Sequence, residues 1–300
     1  SRVDTNPDLR YYLSGSQHFL MSEKISQSLA GRTSVLHLLP FSLAELATGG
    51  FAFDRFEDAL FRGQYPRIYD RDIAPGDFYP AYVQTYIERD VRQMKNIADF
   101  DAFYRFLRLC AGRIGQPLNV SSLAQDASIS SQTAKAWLSV LQASFLVFYL
   151  RPHFRNFSRR LVKSPKLYFY DTGLLCYLLG IESADQLFTH YLRGNLFENF
   201  VLANLLKYRL HRGQPSNLHF WLDKNSREID CLIEKGENLR PVEVEGGQTA
   251  KQAYFKNIKA WHALSGLQEK GYVIYGGDQS LEMPDGRLLS WRDMDAVMAF

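Results

Sequence analysis

The stretch EIDCLIEKGENLRPVEVE, residues 228–245, shows the fold most plainly. Its two arms alternate between apolar and polar side chains around a short glycine-containing turn, which is the pattern of a β-hairpin. If four residues form the turn, Asp230 lies across from Glu243 and Glu228 lies across from Glu245. Carboxylates directly opposite one another destabilise a sheet. The acidic face of this hairpin therefore needs a bound cation, a basic neighbour or exposure to solvent.

The composition is that of a globular chain with hydrophobic cores. Of the 300 residues 46% are apolar, the net charge is +3, and the length suggests about two domains. The three cysteines form no CxxC pair, so neither a disulfide framework nor a zinc ribbon is indicated. No apolar run approaches the roughly 18 residues that a membrane span needs, and no signal peptide opens the sequence. We expect a cytoplasmic protein with no membrane partner.

The first 40 residues predict a strand (9–14), a polar turn (14–16), a helix (19–30) and a second strand (35–39). This order is a βαβ-like unit, which belongs to a parallel sheet covered by helices. One such unit is too small to be a domain. The sequence also has no initiator Met and no GxxxxGK[ST] phosphate loop. We therefore interpret its start as a fragment boundary.

Three short segments in this region carry a family resemblance. The Ser14-Gly-Ser16 turn, the Leu-Ala-Gly-Arg32 sequence and residues 38–42 resemble the C-terminal end of the core of AAA-type ATPases, from bacterial and archaeal proteins with a C-terminal domain of unknown function. The resemblance implies that Ser14 and Ser16 lie beside the nucleotide and that Arg32 is an arginine finger. ATP and Mg²⁺ would then bind to a longer parent protein. The alternative is an ordinary turn and a cation at a helix C-terminus.

Residues 101–170 predict a helix-turn-helix with a wing. Apolar spacing gives three helices, and 145–150 reads as the wing strand. The third helix begins at Ser130, and its first turns would face a partner. Winged helices bind DNA or RNA, and they also dock on proteins. The candidate nucleic-acid contacts on this helix are Ser130, Gln132, Thr133 and Lys135.

The segment 151–166 is basic and contains no acidic residue. Its cations would neutralise phosphates and give a salt-dependent affinity for DNA or RNA. The alternative is an exposed loop whose charge is partly balanced by the acids of the hairpin. The candidate contacts in this segment are Arg155, Arg159, Arg160 and Lys163.

The last part of the chain predicts a long helix, a strand, the hairpin, a helix and a strand, which together form an α/β core. This order resembles the core of PD-(D/E)xK nucleases. The resemblance implies that Glu198, Asp230 and Glu243 are catalytic, and that Asp230 and Glu243 hold Mg²⁺ or Mn²⁺. Glu245 stands where that motif has lysine, which reverses a charge. Replacement by Lys224, Lys235 or Lys251 would require a side chain that reaches in.

The sequence as a whole predicts a mixed α+β chain in four parts. These are the tail of an AAA ATPase core (1–48), a helical layer (49–100), a winged helix (101–170) and a restriction-endonuclease-like α/β domain (171–300). We expect the C-terminal portion of an AAA-type ATPase that couples ATP hydrolysis to nucleic-acid or partner-protein binding. A metal-dependent nuclease and a non-enzymatic binding module are the alternatives. An oligomer is compatible with each of them.

Overall fold

The acidic hairpin lies at the centre of an eight-stranded mixed sheet in the computed structural model. The structure describes residues 36–91, 97, 99–153, 163–223 and 226–299. Within these ranges the strand order is β2-β1-β3-β4-β5-β6-β8-β7. The strands are β1 (Val147–Pro152), β2 (Lys166–Phe169), β3 (Leu218–Leu222), β4 (Glu228–Lys235), β5 (Asn238–Glu245), β6 (Tyr272–Tyr275), β7 (Leu281–Met283) and β8 (Gly286–Ser290).

The predicted register of the hairpin is confirmed near the turn. The expected pairs of Asp230 with Glu243 and of Glu228 with Glu245 are not among the recorded ones, and the ladder of β3 with β4 shifts register beside Asp230. Glu234 pairs with Leu239, and the recorded pairs of β4 and β5 run on to Cys231 and Val242. Lys235 also pairs with Asn238, so the turn has two residues instead of four. The ladder therefore has one more pair at the turn than expected.

Helices surround the sheet, and those that precede the first strand in the sequence form a separate layer. A π-helix spans Val83–Val91, and 3₁₀ turns span Ala184–Phe188, Gln252–Phe255 and Trp291–Met298. The α-helices are α1 (Leu43–Thr48), α2 (Phe56–Arg62), α3 (Pro66–Asp70), α4 (Pro75–Tyr82), α5 (Phe100–Ala111), α6 (Val120–Asp126), α7 (Ser131–Ala143), α8 (Thr172–Leu178), α9 (Arg193–Leu210) and α10 (Lys256–Ser265).

The two faces of the hairpin are both buried, against different helices. Cys231 and Val242 belong to the hydrophobic cluster that contains the inner residues of α9. Leu232 lies in a second cluster with Trp261 of α10. Because both faces are buried, β4 also carries an apolar residue, Leu232, where strict alternation would place a polar one. The mixed α+β fold is therefore confirmed.

Several local predictions need correction. Residues 36–39 are irregular rather than strand, and 3₁₀ geometry occupies the start of the helix predicted at 252–264. Strands β7 and β8 were not predicted, because β7 is short and exposed and β8 is short. The predicted strand at 9–14 and helix at 19–30 lie outside the described residues. In the described ranges, no helix is both long enough and apolar enough to cross a membrane.

A buried polar network ties the helical layer to α9. The ammonium of Lys207 donates to the Gln64 side chain at 2.7 Å and to the Phe41 carbonyl at 3.0 Å. Asp171 caps α8 and accepts hydrogen bonds from the backbone of Gln64 at 2.6 Å and from the Tyr79 hydroxyl at 2.8 Å. Burial lowers the pKa of Lys207 to about 7, while the negative charge of Asp171 opposes the shift. This amine therefore exchanges its proton near neutral pH.

Lys207→Met is expected to remove a pH dependence of stability. Between pH 7 and the ordinary lysine pKa, the unfolded chain binds a proton that the folded chain lacks, so the free energy of unfolding rises with pH. The wild-type value should rise relative to the variant by up to about 1.4 kcal/mol per pH unit above pH 7. Urea unfolding of both proteins from pH 6 to 9 measures this difference. Parallel curves would show that Lys207 stays charged.

Candidate functional site

Three elements from distant parts of the chain bring one lysine and three carboxylates together. Lys166 is the first residue of β2, a strand that is buried along its whole length. Glu198 lies in the second turn of α9, and Glu228 and Asp230 lie at the start of β4. Strands β1 and β3 separate β2 from β4 in the sheet, yet the Lys166 side chain reaches Glu228 of β4.

Lys166 is the central cation of this cluster, and its side chain is only 3% exposed. Its ammonium lies 3.2 Å from a Glu198 carboxylate oxygen and also contacts the Glu228 carboxylate. Burial by itself would lower the pKa of Lys166, but Glu198, Glu228 and Asp230 outweigh it and raise the pKa above the ordinary value. The amine is therefore charged throughout the physiological range.

Glu198 is held from two sides. The Tyr168 hydroxyl donates to the Glu198 oxygen that also faces Lys166, at 2.5 Å. The side chain of Glu198 is 13% exposed, and burial raises its pKa while Lys166 and Tyr168 lower it. The loop at Gly115 comes close behind it, because a Cβ at Gly115 would lie 3.1 Å from the second carboxylate oxygen. Glu198 is thus fixed by its neighbours rather than free to rotate.

Asp230 lies just beyond the last recorded pair of the β4–β5 ladder. The recorded pairing of β4 with β5 ends at Cys231 and Val242, and one step further the Asp230 carboxylate accepts the Val244 backbone N–H at 2.9 Å. Burial raises the pKa of Asp230 well above its usual range, and the charge of Glu198 adds to the shift. The positive charge of Lys166 opposes this shift without cancelling it.

Glu243 lies on β5 beside this group and is 4% exposed. The Asn257 amide donates to one of its oxygens at 3.4 Å, and the other oxygen has no hydrogen-bond partner in the described part of the chain. Burial raises the pKa of Glu243 well above its usual range, reinforced by Asp230. Glu245 has a different partner: burial raises its pKa, and Lys251 opposes that shift.

Basic neighbours answer only part of the hairpin's negative charge, because burial lowers the pKa of His219. Lys166 serves Glu228, and His219 lies 3.3 Å from Glu234, with His153 at 3.8 Å from the same carboxylate. Among the described residues, no group of three His, Cys, Asp or Glu side chains is arranged to hold a metal ion. The nuclease-like roles of Glu198, Asp230 and Glu243, and Mg²⁺ or Mn²⁺ at the hairpin, stay predictions.

The other predicted contacts fall in two groups. Ser130 caps α7 by accepting the Thr133 backbone N–H at 3.0 Å, and the two hydroxyls lie 2.8 Å apart. Gln132, Lys135 and Lys163 are exposed. The structure therefore gives Ser130 and Thr133 a capping role and leaves these three side chains accessible. The remaining predicted contacts lie outside the described residues: Ser14, Ser16, Arg32, Arg155, Arg159 and Arg160.

Sequence reasoning missed the part that Lys166 plays. The expected substitutes for the motif lysine were Lys224, Lys235 and Lys251, all close to the hairpin in sequence. Lys235 is exposed at the turn, and Lys224 is outside the described residues. The available signal was a lysine that opens the otherwise apolar strand Lys-Leu-Tyr-Phe, because a buried charge in a strand needs a partner.

Lys166→Met should destabilise the chain by about 3 kcal/mol or more, because buried carboxylates would lose their cation. The raised pKa values of Glu198 and Asp230 fix the sign of the pH dependence. Above the ordinary carboxyl pKa the unfolded acids ionise while the folded ones resist, so the loss should be larger at pH 8 than at pH 5. Chemical denaturation at both pH values measures it. The exposed Lys163→Met is the control and should cost under about 0.5 kcal/mol; equal effects would contradict this account.

Family models match the chain in three consecutive parts. Residues 1–47 match a model described as an AAA domain. Residues 53–185 match a domain of unknown function (DUF8612), and residues 193–294 match a second one (DUF4143). These matches confirm the expected AAA segment followed by a domain of unknown function, while the winged-helix and nuclease assignments stay predictions.

Two curated relatives are similar to the chain over almost its whole length. They are uncharacterized proteins of Mycobacterium bovis and Mycobacterium tuberculosis, each 28% identical over 302 residues. The alignment covers 97% of this chain and 65% of each relative, so the chain spans about two thirds of their length. No solved structure matches the chain significantly. The comparisons thus place an AAA-like segment at residues 1–47, ahead of two modules of unknown function.

Proposed function

We propose that this chain is the C-terminal portion of an AAA-type ATPase in which ATP hydrolysis is coupled to nucleic-acid binding by the modules that follow. The match of residues 1–47 to an AAA domain supports the first half of this proposal. The coupling is supported by one structural observation. The last residues of the matched segment are built into the core of the module that comes after it.

The connection runs through backbone and side-chain hydrogen bonds to helix α9. The Leu43 backbone N–H donates to the Asn204 side chain at 2.7 Å, and Lys207 donates to the Phe41 carbonyl at 3.0 Å. Leu39 and Leu46 are buried. A buried, hydrogen-bonded joint of this kind transmits displacement, because neither partner can move without breaking bonds inside the core.

Helix α9 extends from this joint to the acidic cluster. Lys207 lies near its C-terminal end and Glu198 lies nine residues earlier, about 13 Å along the helix axis. A shift of residues 39–46 would therefore reach the carboxylate that holds Lys166. We infer that α9 is the rigid element between the AAA segment and the sheet.

Nucleic acid is the favoured ligand because exposed polar and basic groups remain on the segment after α6. Gln132 and Lys135 are exposed on the first turns of α7, after a turn in which Ser128 adopts a positive φ of 57°. Three helices, α5 to α7, precede the antiparallel pair β1 and β2. This order supports the winged-helix hypothesis. A protein partner on the same face is the competing outcome of the binding test.

A metal-dependent nuclease is the second candidate, and a specific observation favours it. Elements α9, β3, β4, β5, α10 and β6 follow one another as helix, three strands, helix and strand, with Glu198, Asp230 and Glu243 on the first helix and the middle strands. If a metal bound there, it would supply an activated water for phosphodiester hydrolysis. Lys166 opposes this candidate, because it already contacts Glu198 and the neighbouring Glu228.

The natural full-length protein should hydrolyse ATP, and a GxxxxGK[ST] phosphate loop is expected upstream of Ser1 in the gene. Arg32→Ala should lower the ATPase rate by roughly 10³-fold, as for other arginine fingers. Arg67→Ala, which removes an exposed arginine from α3, is the control and should leave the rate unchanged. A full-length protein without a phosphate loop, or an ATPase rate insensitive to Arg32→Ala, would overturn the assignment.

Nucleic-acid binding should depend on salt and on the basic segment. Affinity for DNA or RNA, measured by electrophoretic shift, should fall steeply between 50 and about 200 mM salt, and Arg159→Ala with Arg160→Ala should weaken it and flatten the salt slope. The control is Arg67→Ala with Lys256→Ala, which also removes two surface charges. Binding that both double variants leave unchanged, or no binding at low salt, would direct the search to a protein partner.

A further inference from the structure

We propose that Lys166 is a built-in cation that takes the place of a divalent metal among Glu198, Glu228 and Asp230, so that the folded chain excludes Mg²⁺ and Mn²⁺ from this cluster. The inference rests on the geometry of the cluster alone and does not require the proposed coupling to ATP.

The ammonium occupies the space that a shared metal would need. A divalent ion binds carboxylates by lying between their oxygens at about 2 to 2.6 Å from each. Here the Lys166 nitrogen lies between Glu198 and Glu228, at 3.2 Å from the first and in contact with the second. A metal and this nitrogen cannot both lie between the same two carboxylates, because their charges repel and their volumes overlap.

The lysine side chain is also held in place from outside the acids. Its ammonium lies 5.5 Å from the centre of the Phe220 ring, a favourable cation–π distance. Backbone pairing fixes β2 on both sides of this residue, since Leu150 of β1 pairs with Lys166 and Pro117 forms a bridge to it. Lys166 therefore stays beside the carboxylates by covalent attachment, which is equivalent to a high local concentration.

Two of the three carboxylates already accept hydrogen bonds from other groups of the protein. The Tyr168 hydroxyl bonds the same Glu198 oxygen that faces Lys166, and Asp230 accepts a backbone N–H from Val244. A metal would have to displace the ammonium and reorganise these hydrogen bonds. It would also have to shed part of its water shell, which Mg²⁺ does reluctantly.

Removing the lysine should therefore create a metal site. In the Lys166→Met variant, the partly buried carboxylates of Glu198, Glu228 and Asp230 lose their shared cation. As the folded chain stands, they are not arranged as a three-ligand group, so Mn²⁺ supplies the missing charge once these side chains have turned towards it. Mn²⁺ at about 1 mM should raise the thermal midpoint of Lys166→Met by about 3 °C or more and that of the wild type by less than about 1 °C. Electron paramagnetic resonance of Mn²⁺ should show one bound ion for the variant and none at this cluster for the wild type.

Three controls separate this site from general metal binding. Lys163→Met removes an exposed lysine nearby in sequence and should behave as the wild type. Lys166→Met with Glu198→Gln should lose the Mn²⁺ response. If Lys166→Met does not fold without metal, it should regain its circular dichroism spectrum on refolding in Mn²⁺. Lys166→Gln, which retains a hydrogen-bond donor, is the second variant.

Two results would overturn the proposal. One is Mn²⁺ bound by the wild type and lost in Asp230→Asn, which would mean that metal and lysine share the site. The other is the absence of any Mn²⁺ effect on the stability, spectrum or refolding of both Lys166 variants. ATP and nucleic acid are absent from these assays, so failure here is distinguishable from failure of the proposed ATP coupling.

Discussion

The contact of Lys166 with the carboxylates of Glu198 and Glu228 is the constraint on which the centre of this molecule depends. Carboxylates removed from water at this depth would cost several kcal/mol each without a cation. One ammonium satisfies two of them directly and acts on Asp230 through space. Because the three groups come from β2, α9 and β4, the interaction joins the segment after the helical layer to the hairpin. A buried ion pair of this kind adds little net stability, although the loss of one partner is costly.

Helix α9 links the acidic cluster to the last part of the AAA-matching segment. One end of the helix holds Glu198, and the other end holds Lys207 and Asn204, which bond the last part of the AAA-matching segment. The helix is buried along much of its length. In the proposed coupling, this helix would carry a movement of residues 39–46 to the acidic cluster. This arrangement connects the ATPase hypothesis with the cluster through a single element.

The hairpin shows how far local reasoning reaches. Alternation of side chains identified the two strands, and the assumed turn at residues 235–238 gave the pairing of Glu234 with Leu239 correctly. Reasoning on like charges also identified that the acidic face needs a counter-charge. The same reasoning named lysines near the hairpin in sequence. Lys166 was recognised only as part of a basic segment, because pairing across β1 and β3 is not visible in local spacing.

The sequence by itself determined the order of most helices and strands, the hairpin register and the acidic character of its face. Those features follow from local periodicity and from the charge of neighbouring side chains. Only the tertiary structure decided that the neutralising charge is Lys166, that Tyr168 fixes Glu198, and that Glu243 lies buried beside the group. These depend on a sheet whose neighbouring strands are far apart in the chain, and on the burial that such a sheet imposes on the side chains of its interior.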